Sequence, residues 1–278
     1  MKILVLGSSG QIGSYLVDYL EEKGHDVIEF DIFEDNEYDL RRANNATLET
    51  SMRSCDFVFF LAFDVGGSRY LSKYQHTYEF IDNNVRIMAE TFKALKQHKK
   101  RFIFASSQMS NMTHSSYGLL KAIGEEYTRI LGGKTVKFWN VYGIEHDMQK
   151  AHVITDFIVK AKTTNVVDML TDGEEYREFL YADDCCEALN MVMENYDNDA
   201  LPEELCITSF RPVQIKEIGF FIANYLGAHL VPGTKKDTVQ MDKNNVPDKA
   251  ILNFWTPKTT IFNGILKVIE EMENDPSQ

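Results

Sequence analysis

Short apolar blocks alternate with longer amphipathic stretches through the first half of the chain. The blocks are Ile3–Leu6, Asp26–Phe30, Phe57–Ala62, Arg101–Ala105 and Thr135–Asn140. Most are almost continuously apolar, as strands are when both sheet faces are covered. Between them, Ile12–Lys23, Asn83–His98 and Tyr117–Leu131 carry apolar residues three and four positions apart, the spacing of one helix face. Strands alternating with helices predict an α/β fold, a doubly wound parallel sheet over residues 1–145. From 146 to 278 the rhythm changes. Helical stretches near Val153–Lys162, Asp183–Asn195 and Ile215–Leu226 are separated by short extended pieces, which predicts a smaller C-terminal α/β lobe. Segments at about 165–182 are candidates to rejoin the main sheet, and the tail Asn274–Gln278 is expected to fray.

Composition narrows the function classes. A chain of 278 residues with 44% apolar side chains can bury a large core. No run of about 18 apolar residues is present, and Met1–Leu6 is too short for a signal segment. Neither a membrane partner nor export is expected. The net charge of −13 gives a surface that repels nucleic acid. Cys55, Cys185, Cys186 and Cys206 form no C-x-x-C pair and no zinc-type spacing with histidine. Free thiols, no metal and a cytoplasmic location are the expectation.

Gly7-Ser8-Ser9-Gly10-Gln11-Ile12-Gly13 follows the first strand and opens the first helix. Glycines there allow a tight turn, close approach of backbone N–H groups to a pyrophosphate, and close helix–strand packing. A ligand-free turn would use the same residues, but Asp31 at the end of the next strand adds a second signal. A carboxylate there can accept both hydroxyls of an adenosine ribose and repels a 2′-phosphate, favouring NAD over NADP. Gln11 and Ile12 lie within the turn. Asp39 and Leu40 are candidates for the adenine edge. Leu61 and Ala62, at a later strand end, could serve either the core or the cofactor. This is the pattern of a Rossmann domain.

Tyr117 and Lys121 are four residues apart on a predicted helix and share a face. A nearby ammonium favours phenolate, so the phenol pKa is expected to fall toward neutrality. Such a tyrosine can take a hydroxyl proton while hydride leaves the same carbon. Ser107 follows the strand Arg101–Ala105, at the sheet edge where open α/β sheets bind ligands, and can hold the reacting oxygen.

Taken together, Gly7/Gly10/Gly13, Asp31, Ser107, Tyr117/Lys121, Asn140-Val141-Tyr142-Gly143 and Arg177-Glu178-Phe179 with Asp183-Asp184 resemble the extended short-chain dehydrogenase/reductase family. Within it they resemble the nucleotide-sugar epimerase/dehydratase branch, with UDP-galactose 4-epimerase-like and GDP-fucose synthase-like features. The likeness runs through Pro247-Asp248-Lys249-Ala250 and Trp255-Thr256-Pro257-Lys258. It implies a nucleotide-diphosphate sugar bound between two lobes, with Arg177 on the diphosphate and Asn140 near the sugar and phosphates. Val141 would line the nicotinamide or sugar pocket or pack the core. His152 would act either as an acid or as a phosphate contact, and Gly66 and Gly67 would let a loop approach the sugar. Lys235-Lys236 stand where a second phosphate-binding arginine is expected.

Two departures from the family pattern narrow the reaction. The 4,6-dehydratases carry an Asp-Glu pair after the active-site hydroxyl residue; here Gln108 and Met109 follow Ser107. Met109 also stands where 3,5-epimerising relatives use a cysteine. An NAD-dependent epimerase with Tyr117 as acid/base remains, working through a transient keto sugar. An NAD(P)H-dependent reductase of a 4-keto sugar stays open as the alternative, as does a non-catalytic NAD-binding sensor. The resemblance further implies a homodimer through the helices at Asn83–His98 and Tyr117–Leu131.

Overall fold

The computed structural model describes residues 1–112, 114–145, 147–237 and 245–274. The described part of the tail, through Asn274, is helical, and residues 275–278 lie outside the described set. The elements in chain order are β1 (Lys2–Leu6), α1 (Gln11–Glu22), β2 (Asp26–Phe30), α2 (Ala46–Ser54), β3 (Phe57–Phe60), α3 (Ser68–Tyr74) and α4 (Tyr78–His98). These are followed by β4 (Arg101–Ser107), α5 (Ser116–Leu131), β5 (Lys134–Phe138), β6 (Asn140–Tyr142), α6 (Val153–Thr164), β7 (Val166–Asp168), β8 (Tyr176–Tyr181) and α7 (Ala182–Glu194). The chain then forms β9 (Glu204–Ile207), β10 (Pro212–Gln214), α8 (Ile215–Leu226), β11 (His229–Val231) and α9 (Ile261–Asn274).

The main sheet has six parallel strands in the order β2-β1-β3-β4-β5-β9. β1 and β3 present Ile3 to Leu6 and Phe57 to Phe60 fully buried, because helices cover both faces. On one face Leu16, Val17 and Leu20 of α1 pack with Cys185, Leu189 and Val192 of α7. On the other, Met52, Met88, Phe92 and Leu120 pack with Phe60, Phe102 and Phe104. A third cluster, including Ile158, Phe179, Ile218 and Ile269, forms the core of the C-terminal half.

Three expectations need correction. The segment at 165–182 does not rejoin the main sheet: β8 pairs with β6 and β10, and β7 with β11. The sixth position is taken by β9, whose Leu205, Cys206 and Ile207 are buried and suit a doubly covered strand better than the half-exposed start of β8. The block Thr135–Asn140 is not one strand. The chain leaves the main sheet after Phe138 and enters the three-stranded sheet at Asn140, with Trp139 between. Finally, α2, α3 and α9 are helices the periodicity did not single out.

Candidate active site

A cleft of about 1920 Å³ runs from the glycine turn, past the C-terminal ends of β1, β3 and β4, to the segment before α6. At its first end β1 stops at Leu6 and the chain turns through Gly7, which has φ +91°. A side chain there would strike the Ala62 backbone nitrogen at 2.7 Å, and one at Gly13 would meet the Gly7 carbonyl oxygen at 1.9 Å. Leu61 and Ala62 both donate backbone N–H bonds to the Leu6 carbonyl, fixing β3's exit against the turn. Gly10 caps α1 without any side-chain hydrogen bond, so the helix N-terminus offers backbone donors and a positive dipole end. The glycine cradle, the uncapped helix and the acidic strand end fit a dinucleotide pyrophosphate and ribose.

Asp31 accepts backbone N–H bonds from Ser9 (3.2 Å) and Phe33 (2.9 Å), which holds its carboxylate beside the turn. Glu34 accepts from the Ser9 hydroxyl at 2.8 Å. Two carboxylates therefore stand together at this end of the cleft. Asp39 is held by Arg41 through Nε at 2.8 Å and Nη2 at 3.0 Å, a bidentate pair that lowers its pKa against the opposing effect of burial. Leu40 is buried beside it.

The middle of the cleft is built by β4 and α5. Ser107 ends β4, and its hydroxyl accepts from the Met109 N–H at 3.2 Å. Ser115 caps α5 by accepting from Gly118 N–H at 3.0 Å and donates to Gln75 at 2.8 Å. Gly118 is needed because a Cβ there would lie 2.1 Å from the Met109 carbonyl oxygen. That close seat brings Tyr117 to the strand end. Tyr117 and Lys121 are 8% and 3% exposed, and both line the cleft with Ser107.

The charge state of this pair differs from expectation. Lys121 Nζ donates to the Ala105 carbonyl at 2.6 Å and sits 3.7 Å from the centre of the Phe63 ring. Burial pulls its pKa down to about 7, against the Glu125 carboxylate, which raises it. Burial likewise pushes Tyr117 up to about 12, while a hydrogen bond with Ser107 acts in the opposite direction. The phenol is not made acidic by its neighbour. The reason is the apolar setting, with Phe63 edge-on to Tyr117 at 5.8 Å, which penalises both charged forms.

At the far end Asn140, Val141, Gly66, Gly67 and His152 all line the cleft. Asn140 donates to the Glu178 carbonyl at 2.9 Å. Gly66 and Gly67 serve chain packing: a Cβ at Gly67 would meet the Ala151 carbonyl oxygen at 2.5 Å, and Gly67 N–H donates to Lys150 O at 2.8 Å. They let this loop seat on residues 150–152 rather than merely reach toward a ligand. Arg177 is the exception. It does not line the cleft and is paired with Asp237, and it also donates to the Tyr176 carbonyl at 2.6 Å. Lys235 and Lys236 are also outside the lining; Lys235 bridges to Thr171.

Three further lining residues shape the site. Phe63 faces the Tyr117–Lys121 pair. Asp64 accepts from the Tyr70 hydroxyl at 2.6 Å, Asn83 at 3.1 Å and Lys150 at 3.1 Å. Glu145, buried, accepts from His152. Asp64 opens the family-like stretch Asp64-Val65-Gly66-Gly67-Ser68; only adjacency to the strand end at Ala62 and to the stretch Asn140–Gly143 marks Phe63 and Glu145.

Residues 3–207 match the model of the NAD dependent epimerase/dehydratase family. The chain belongs to that family. Among curated proteins, GDP-mannose 3,5-epimerase 1 of Oryza sativa subsp. indica is 25% identical, covering all of this chain and 84% of the relative. A putative UDP-glucose 4-epimerase of Methanocaldococcus jannaschii is 24% identical over 98% of this chain and 99% of its own. Among solved structures, UDP-glucose 4-epimerase of Thermotoga maritima superposes with a TM-score of 0.80 at 22% identity, covering 98% and 99% of the two chains. A GDP-6-OMe-4-keto-L-xylo-heptose reductase from C. jejuni gives 0.81 at 19%, covering 98% and 97%. NAD is the family's cofactor, and the glycine turn with Asp31 is the part of this chain that fits it.

Proposed function

We propose that the protein epimerises a nucleotide-diphosphate sugar through a transient keto sugar, with Tyr117 as acid/base and Ser107 holding the reacting oxygen. The observation that carries this reading is the convergence of Ser107, Tyr117 and Lys121 in the same cleft as the glycine turn. When bound, NAD supplies a reversible hydride acceptor. Gly7, Gly10, Gln11, Ile12 and Gly13 would hold its pyrophosphate end and Asp31 its ribose, with Leu61, Ala62 and Val141 along its length. Asp31 and Glu34 side by side disfavour a 2′-phosphate, so NADP fits less well. Tyr117 would act as the phenolate, a form that the positive ring of bound NAD favours against the effect of burial; it takes the proton of a sugar hydroxyl and returns it to the same oxygen after the keto sugar has rotated. Lys121, fixed on Ala105 O, orients the helix face from which Tyr117 acts.

The remaining cleft chemistry supports epimerisation over elimination or 3,5-epimerisation. Gln108 and Met109 neither donate nor accept protons under ordinary conditions. The two carboxyls at the substrate end, Asp64 and Glu145, are both held below the ordinary range by their hydrogen-bonding and charged neighbours, despite burial, which makes them poor acids. No cysteine is among the described residues lining the cleft.

Incubation of purified protein with UDP-, GDP- and dTDP-sugars, without added reductant, tests this directly: one pair should interconvert. Turnover only with added NADH would replace the epimerase with a keto-sugar reductase. Binding of NAD with no turnover in either arm would leave a sensor.

We also propose a homodimer contact on α4 and α5. Tyr78, Ile81 and Val85 on one helix and Leu119, Ile123, Tyr127 and Ile130 on the other are exposed, Ile130 at 69%. An apolar patch of this kind on a soluble fold is costly unless covered. The four buried free thiols suit a reducing, cytoplasmic setting.

A further inference from the structure

His152 occupies the N-cap position of α6 and lines the cleft. An ordinary cap supplies a side-chain acceptor to the helix's first N–H groups; His152 makes no such bond. Instead its backbone N–H donates to Glu145 Oε2 at 2.8 Å, and its ring Nδ1 lies 2.6 Å from Glu145 Oε1. One carboxylate thus grips both the backbone and the ring of one residue. The carboxylate is 6% exposed on its side chain, while the ring is 36% exposed, so the buried partner fixes the one that meets the cleft. With Nδ1 turned to the carboxylate, Nε2 is the ring nitrogen left to face a ligand.

We propose that Glu145 is a positioning residue for His152: it commits Nδ1–H to the carboxylate and presents Nε2–H as a donor to an oxygen of the bound sugar nucleotide. This rests on the substrate class proposed above and on the ligand contact that the family resemblance implies for His152; what it adds is the part of Glu145. A carboxylate behind an imidazole fixes its tautomer and favours the protonated ring. Consistent with this, Glu145 raises the His152 pKa against the lowering effect of burial. The other charged groups nearby are themselves paired. Lys150 is held on Asp64 across the loop, and Asp156 in the first turn of α6 is bound by Arg69 and Lys160. Asp147 and Lys162 also line the cleft and complete the set facing this end.

The test is histidine NMR combined with calorimetry, using UDP and GDP as probes. The ring signal of His152 is assigned by its loss in His152→Asn. In the native protein its midpoint should lie above the ordinary histidine value, with Nδ1 carrying a proton on both sides of it and Nε2 only below it. Glu145→Gln should lower that midpoint by about one unit or more, and Glu145→Asp should keep most of it. UDP or GDP affinity should fall as the ring deprotonates, with the fall moved to lower pH in Glu145→Gln. Between the two midpoints the loss should be roughly tenfold, the worth of one charge-assisted hydrogen bond. In a His152→Asn background Glu145→Gln should change neither affinity nor its pH profile. An unshifted midpoint in Glu145→Gln overturns the proposal. Where that variant does not fold, an unprotonated Nδ1 at neutral pH in the native protein overturns it equally. Failure of native protein to bind either nucleotide removes the substrate role and the substrate class together, while the midpoints still decide whether Glu145 controls the ring.

Discussion

Gly13→Ala is the sharpest probe of the cofactor cradle, because the clash it creates is with backbone on all sides. The added methyl would sit 1.9 Å from the Gly7 carbonyl oxygen and 2.9 Å from two further backbone carbons. Ordinary contact requires a retreat of about 1.5 Å. Gly7 cannot supply it easily: its N–H is tied to Phe30 O at 2.9 Å, and its own Cβ position is closed by Ala62 N at 2.7 Å. The turn and the start of α1 must therefore separate, and N–H groups aimed at a pyrophosphate lose alignment. Each such charge-assisted bond is worth about 1.5–3 kcal/mol. Loss of one or two raises the NAD Kd by roughly tenfold to about 10⁴-fold. Overpacking itself costs about 1–3 kcal/mol of stability, a Tm drop of a few degrees. Calorimetric NAD titration with a parallel melting curve measures both. Gly24→Ala is the control: Gly24 has φ +79° but nothing within 4 Å of a Cβ, so it should lose some stability and no NAD affinity. A folded Gly13→Ala protein binding NAD within threefold of native would refute the assignment of this turn as the cofactor cradle.

Other consequences are equally direct. Tyr117→Phe should lower turnover of the interconverted sugar pair by about 10²–10⁴-fold while NAD binding stays within a few-fold, as read by steady-state kinetics and titration. Asp31→Ala should weaken NAD by roughly tenfold, the loss of a hydrogen-bonded carboxylate, and narrow its preference over NADP in competition binding. Lys121 titrates near 7 in the folded chain against 10.5 unfolded, so the unfolded chain holds the extra proton between those values. Its contribution is present above 10.5 and lost as pH falls to about 7; the Tm advantage of Lys121→Met over native should be largest at pH 6 and shrink by pH 10. Ile123→Asp with Ile130→Asp should yield a monomer by light scattering at micromolar concentration; an unchanged mass in both native and variant protein sinks the α4/α5 contact.

Legibility in the sequence tracked how local the determinant was. Strands buried on both faces are written as continuous apolar runs, so β1, β3 and β4 were readable to within a residue or two. The glycine turn was readable because its steric need is met within seven residues. β9 was missed because Glu204–Ile207 is short and its partner β5 is distant in sequence; its place depends on which edge of the sheet remained open. The break at Trp139 was missed for a related reason. Thr135–Asn140 looks like one strand until the three-stranded sheet exists to capture Asn140. α3 and α9 were passed over although α9 carries Ile265, Val268, Ile269 and Met272 on its buried face, a pattern at helical spacing that was there to be read.

The site shows a sharper division. A four-residue spacing says that Tyr117 and Lys121 share a helix face, but not where the ammonium points. The Ala105 carbonyl and the Phe63 ring decide that, and they turn the lysine into a structural donor whose charge is weakened by burial. Likewise the family resemblance implied a phosphate contact for Arg177, and the fold pairs it with Asp237 outside the cleft lining. Most cations lining the cleft are paired with a carboxylate: Arg41 with Asp39, Lys150 with Asp64, His152 with Glu145 and Lys162 with Glu273, while Lys121 is held on the Ala105 carbonyl. In a chain of net charge −13, unpaired cations would be the obvious way to attract an anionic ligand. Paired ones give little net attraction but hold N–H donors in fixed directions, and a fixed donor in a low-dielectric cleft is worth more than a mobile charge in water. The proposed binding of two ligands, NAD at the glycine turn and a sugar nucleotide at the His152 ring, therefore rests on oriented hydrogen bonds at opposite ends of the same cleft.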